Sequence, residues 1–226
     1  MKTKTFKRLT LSAAAVLTLT FAGQSFAAAV LFDDLNATPA KDKIVQLQQQ
    51  GVIHGVSDTK FLPNAPVTAA QAIQMFVNAF DLNIDLLRFI KAPLATDYFA
   101  KTNNEAWYAD ALIIAANNDI GLPPDLDPGK NWSREEFTHQ LILTIEKHSN
   151  LPMIKIMPVD IADNADFTNG YDGSIQRALA LGIARLDSSG KFHPAADITR
   201  AEAAEMVYNA MEYIAAHPAP AGLTGE

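Results

Sequence analysis

The chain has 226 residues, with 18 Lys and Arg against 25 Asp and Glu and no cysteine. That length allows one or two domains with a substantial core, and 49% hydrophobic content excludes a disordered chain. A formal charge of -7 argues against a general nucleic-acid binder, and the missing cysteines exclude disulfides, cysteine zinc sites and thiol catalysis.

Lys2, Lys4, Lys7 and Arg8 precede a short apolar run from Leu9 to Phe21. Small residues follow at Ala27 and Ala29. This pattern predicts a secretory signal over residues 1–29, too short in its apolar part for a comfortable membrane anchor. Its removal takes four cations and no anions, moving the net charge from -7 to -11. No later run is long and apolar enough to span a bilayer. The expectation is an exported bacterial protein that diffuses away or is held at the surface by non-covalent binding.

The first predicted helix carries Ile44 and Leu47 and ends near Gln50, with Gly51 as a left-handed C-cap. A polar loop through Phe61-Leu62-Pro63-Asn64 leads to Thr68-Ala69-Ala70-Gln71. That is a capping box: the hydroxyl accepts from the third amide of the helix, and Gln returns to the cap amide. The helix it opens places Ala72, Phe76 and Phe80 on one stripe. The order then repeats. Trp107, Ala111, Leu112 and Ala115 lead to Asn118-Asp119, where Asp tolerates the left-handed conformation. A shortened loop reaches a second box at Ser133-Arg134-Glu135-Glu136, followed by Phe137, Leu141 and Ile145. Leu151 to Ile161, with Pro152 and Pro158, reads as a connection. Ile175, Ala178, Leu179 and Leu181 then precede Gly182, the Phe192-His193-Pro194 loop and a third box at Thr199-Arg200-Ala201-Glu202. Ala203, Val207, Ala210 and Ile214 complete its stripe.

The box residues Thr68, Ser133 and Thr199 stand 65 and 66 residues apart. A near-constant period marks internal repeats, and one helix pair cannot bury its apolar face alone. The predicted fold is all-α, with repeats at 30–92, 93–157 and 158–216 and a disordered tail at 217–226.

The ordered set resembles the S-layer homology (SLH) domain. The residues that carry the resemblance are Phe32-Asp33-Asp34, Gly51-Val52-Ile53-His54-Gly55 and Phe61-Leu62-Pro63 in repeat 1. Repeat 2 contributes Trp107-Tyr108 and Ser133 to Glu136; repeat 3 contributes Gly182-Ile183, Phe192-His193-Pro194 and Ile198 to Glu202. The likeness covers roughly residues 31–215. It implies three helix-loop-helix repeats packed as a pseudo-trimeric spindle around a central helical bundle. It also implies non-covalent binding to the bacterial cell wall, through secondary cell wall polysaccharide held in grooves between repeats. Such polysaccharides often carry pyruvylated sugars.

The residues suit an acidic sugar. Arg134 and Arg200 occupy first helical positions, where a cation gains nothing from the macrodipole. The helix end is expected to offer free amides as an anion site, and an Arg fork there would bind a carboxylate bidentately. The alternative is an Arg paired with an acid across repeats. The candidate polysaccharide-binding residues are Arg200, Arg134, Thr199, Ser133, Glu202, Gly182, Gly51 and Trp107. Trp107 either stacks on sugar or packs in the core, with packing the favoured expectation. Asp33, Asp34, Asp97 and Asp160 read as caps. Ala69 replaces Arg in repeat 1, so at most two grooves are expected to work.

No metalloprotease, hydrolase or phosphate-loop motif occurs. The expectation is a non-enzyme without cofactor or metal. Almost nothing follows the third repeat, so no cargo domain is expected. The alternative function is an exported protein–protein adaptor that has lost sugar binding.

Overall fold

The computed structural model describes residues 32–149, 151 and 157–218. The predicted signal and nearly all of the predicted tail lie outside them. Six α-helices carry the described chain: α1 (Lys41–Gln49), α2 (Ala69–Ala79), α3 (Ala109–Asn117), α4 (Arg134–His148), α5 (Asp172–Ala180) and α6 (Arg200–Ala216). The fold is all-α, with only isolated β-bridges between chain segments.

The three expected capping boxes are all made. Thr68, Ser133 and Thr199 accept from the amides of Gln71, Glu136 and Glu202, whose side chains accept the cap amides in return. These caps start the three helices that meet at the centre, because α2, α4 and α6 each touch the other two. The short helices pack on them from outside. Their main partners cross the sequence repeats: α1 lies on α6, α3 on α2, and α5 on α4. No repeat closes its own core. One hydrophobic cluster runs through all three, from Leu35 and Ile44 through Phe76, Leu112, Phe137 and Leu141 to Ile175, Phe192 and Val207.

The cap-preceding residues form a closed ring. Val67 N–H donates to Ile198 C=O at 3.1 Å, Ile198 N–H to Trp132 C=O at 3.1 Å, and Trp132 N–H to Val67 C=O at 3.0 Å. Each residue gives one bond and takes one, so no backbone group in the buried ring is orphaned. All three side chains are buried.

The first two amides of each central helix also cross repeats. Ala69 and Ala70 donate to Lys130 and Pro128 carbonyls, Arg134 and Glu135 to Ala196 and Pro194, and Arg200 and Ala201 to Ala65 and Pro63. This corrects the expectation of free amides at these helix ends. The orphan donors of an isolated helix are satisfied here by the loop of another repeat and by the capping hydroxyl.

The turn chemistry follows the sequence closely. Gly51, Asp119 and Gly182 take the equivalent left-handed position, with φ of 73°, 53° and 69°. Gly55 has a different reason to be glycine. A Cβ there would sit 2.3 Å from Ser57 O, 2.5 Å from a Phe32 ring carbon and 2.6 Å from Lys60 O.

Candidate functional site

The site is built from crossings between repeats. Arg200 starts α6 but reaches into repeat 1. Its guanidinium carbon lies 4.4 Å from the Phe61 ring centroid. Nε donates to Phe61 C=O at 2.7 Å and one terminal nitrogen to His54 C=O at 2.9 Å. Arg134 makes the corresponding reach from α4 into repeat 3, lying 5.0 Å from the Phe192 centroid and donating to Arg185 C=O at 3.0 Å. His54 and Arg185 each stand three residues beyond their turn glycine. The two arginines therefore do the same job one repeat apart. Burial pulls both guanidinium groups below their ordinary pKa, and both remain cations.

The loops that receive them are held by carboxylates at matching positions. Asp34 accepts from the amides of Phe61 and Leu62, and Asp163 from those of Phe192 and His193. Burial pushes both carboxyls up, but the amide donors together outweigh it and leave each below the ordinary value of 3.8. Leu62 and His193, the residues gripped, are left-handed at φ 57° and 59°. Asp34 thus holds a loop instead of capping a helix, which corrects the cap expected of it. Asp163, in the acidic segment, has the same duty.

Two grooves flank these crossings. The first, of about 500 Å³, is lined by Arg134, Arg185, Asp187, Lys191, His193, Asp197, Thr199, Glu202 and Glu205 among others. Its basic side chains are largely paired. Arg134 bonds Glu202 at 2.8 Å, His193 meets Asp187 at 2.7 Å, and Arg185 comes within 3.9 Å of Glu205. The acid pairing considered for Arg134 is therefore present.

The second groove, of about 560 Å³, is lined by Gly51 to Val56, Gln71, Gln74, Met75, Asn78, Trp107 and Arg200. No carboxylate lines it. Arg200 gives two of its three nitrogens to carbonyls and makes no ion pair among the described residues. Three side-chain amides and one indole complete the wall. Trp107 is 64% exposed and edge-on to Tyr108, with centroids 5.5 Å apart. The favoured expectation of core packing for Trp107 is corrected: it precedes α3, whose apolar face begins at Ala109, and so projects from the helix start.

Of the sequence candidates, Arg134, Thr199 and Glu202 share the first groove, and Gly51, Trp107 and Arg200 share the second. Ser133 is absorbed by its cap, and Gly182 sets a turn beside Ile183 of the first groove. Sequence reading missed His54, Gln71, Gln74 and Asn78 as groove residues. Gln71 carried a signal as a capping-box member and His54 as part of the Gly51 to Gly55 motif; Gln74 and Asn78 carried none. At the third equivalent helix start, Ala69 supplies no guanidinium and is fully buried.

Among the described residues no helix is long and apolar enough to cross a membrane. No cluster of three metal-ligating side chains occurs among them either.

Similar proteins carry this sequence within much longer chains. The chain is 27% identical over 185 residues to an exoglucanase, XynX, of Acetivibrio thermocellus, covering 81% of this chain and 16% of that protein. It is 26% identical over 183 residues to an amylopullulanase of Thermoanaerobacterium thermosulfurigenes, covering 80% and 9%. It is 25% identical over 200 residues to a surface-layer 125 kDa protein of Lysinibacillus sphaericus, covering 85% and 16%. The chain thus spans less than a fifth of each relative. The family whose sequence pattern matches, over residues 31–73 and 166–204, is the S-layer homology domain.

Proposed function

We propose that this chain is a non-enzymatic module that attaches to the bacterial cell surface by binding an anionic wall polysaccharide. The S-layer homology match and the surface-layer relative support the surface setting. The observation that carries the ligand class is the second groove. It joins Arg200, a buried guanidinium that makes no ion pair among the described residues, to an exposed indole and three amides, with no carboxylate in the wall. An indole face takes the apolar face of a sugar ring, amides take hydroxyls, and a guanidinium takes a carboxylate. A pyruvyl ketal supplies such a carboxylate.

The first groove is the weaker anion site in this reading, because Glu202 holds Arg134 and three further acids line the wall. The arrangement of the three repeats as a pseudo-trimeric spindle is part of the same proposal. The hydrogen-bonded ring and the cyclic helix pairings support it.

The test is calorimetric titration of residues 30–226 with purified secondary wall polysaccharide, native or with its carboxylate-bearing substituents removed. The reading expects one dominant site per chain with the native polymer and at least a tenfold loss without the carboxylate. Equal affinity for both polymers, or none for either, overturns it.

A further inference from the structure

The segment between α2 and the 3₁₀ turn at Ala95–Asp97 has no part in either groove. Its ends are pinned. Leu82 is buried in the main core, and Ile84 packs against Ala95, Ala109 and Ile113. Asn118 holds the backbone at Asn83 C=O. Between those ends the chain runs Leu86-Leu87-Arg88-Phe89-Ile90-Lys91. Leu86 is 96% exposed, Leu87 47%, Phe89 40%, and Ile90 as exposed as an extended chain allows. Four large apolar side chains in five consecutive residues is far from the scattered exposure that ordinary surfaces show.

These side chains project. None of them lines a groove described above. A protein partner would have to supply pockets shaped to these four tips. A fluid apolar phase needs none. The charges agree: Arg88 and Lys91 flank Phe89 and Ile90 and make no ion pair among the described residues, and the nearest acid in the sequence is Asp85. Apolar tips set beside free cations match the boundary between acyl chains and anionic headgroups.

We propose that residues 86–91 form a membrane-contact loop, inserting Leu86, Phe89 and Ile90 among the acyl chains of an anionic lipid surface while Arg88 and Lys91 meet its headgroups. The inference is independent of the groove reading. The whole chain is acidic, so repulsion from such a surface, screened over about 10 Å at 0.1 M salt, limits binding to a loop-first approach.

The experiment is flotation of residues 30–226, which retain every described residue, with phosphatidylglycerol-containing and pure phosphatidylcholine vesicles at 0.1 M salt. The comparison variants are L86D/I90D and R88E/K91E, with circular dichroism confirming the helical fold. The unaltered chain should float with the anionic vesicles. L86D/I90D should lower the bound fraction at least tenfold. R88E/K91E should remove the preference for anionic over neutral lipid. A Phe89→Trp chain should shift its emission to the blue on adding anionic vesicles. No flotation of the unaltered chain, or equal flotation of L86D/I90D, overturns the proposal. So does concentration-dependent self-association that L86D/I90D abolishes without any flotation, since that result makes the loop a contact between copies.

Discussion

Arg200 lies over the ring of Phe61 of another repeat, 4.4 Å from ring centroid to guanidinium carbon, and donates a hydrogen bond to the carbonyl of that same residue. One side chain thus closes the joint between the last repeat and the first while forming part of the wall of the carboxylate-free groove. Stability and binding meet in it.

Arg200→Ala removes the donors of two carbonyls, one of them buried, and opens space over Phe61. We expect a loss of about 2–4 kcal/mol in urea unfolding. Arg200→Lys keeps a charge but cannot span both carbonyls in one plane, and should fall between. Unchanged unfolding of Arg200→Ala would contradict the joint.

Trp107 separates binding from folding. It is 64% exposed, so Trp107→Ala should move the unfolding free energy by no more than about 0.5 kcal/mol. Polysaccharide affinity should fall roughly tenfold, the loss expected of one good aromatic contact. Titration and unfolding of the same preparation check both halves.

The turn glycines should differ in cost. Gly51→Ala meets no atom within 4 Å but must hold φ near 73°, a penalty of about 1 kcal/mol. Gly55→Ala drives a Cβ into two backbone carbonyls, and should cost about 2 kcal/mol or more. Thermal unfolding of the two variants gives the order directly.

Acid should loosen the loops. The folded pKa of Asp34 and of Asp163 lies below the ordinary 3.8. Their stabilisation is therefore complete above that unfolded value and is lost as pH falls through the folded one. Melting temperature should drop steeply below about pH 4. D34N/D163N should melt lower than the parent at pH 7, and the gap should narrow as pH falls below 3.8. Parallel curves at all pH values would assign the acid limb to other groups.

Much of this was legible in the residues. A capping box is a local device, so Thr68, Ser133 and Thr199 announced three helix starts without reference to anything distant. The left-handed turns at Gly51, Asp119 and Gly182 were local as well. What the residues did not announce was anything made between repeats. The box alone does not show that Pro63 and Ala65 will occupy the first amides of α6, or that α1 will lie on α6 rather than α2. Trp107 misled for a related reason. Its position before a helix predicts burial only if the helix begins early enough to turn it inward, and α3 begins two residues later. Arg134 and Arg200 look equivalent in sequence, and Glu202 makes them unequal.

The most direct measurement is co-sedimentation of residues 30–226 with purified native sacculi, beside sacculi stripped of secondary polysaccharide. The account predicts binding to native sacculi, its loss on stripping, and at least a tenfold weaker association for Trp107→Ala. Equal binding to stripped and native sacculi, or no binding to either, would contradict it.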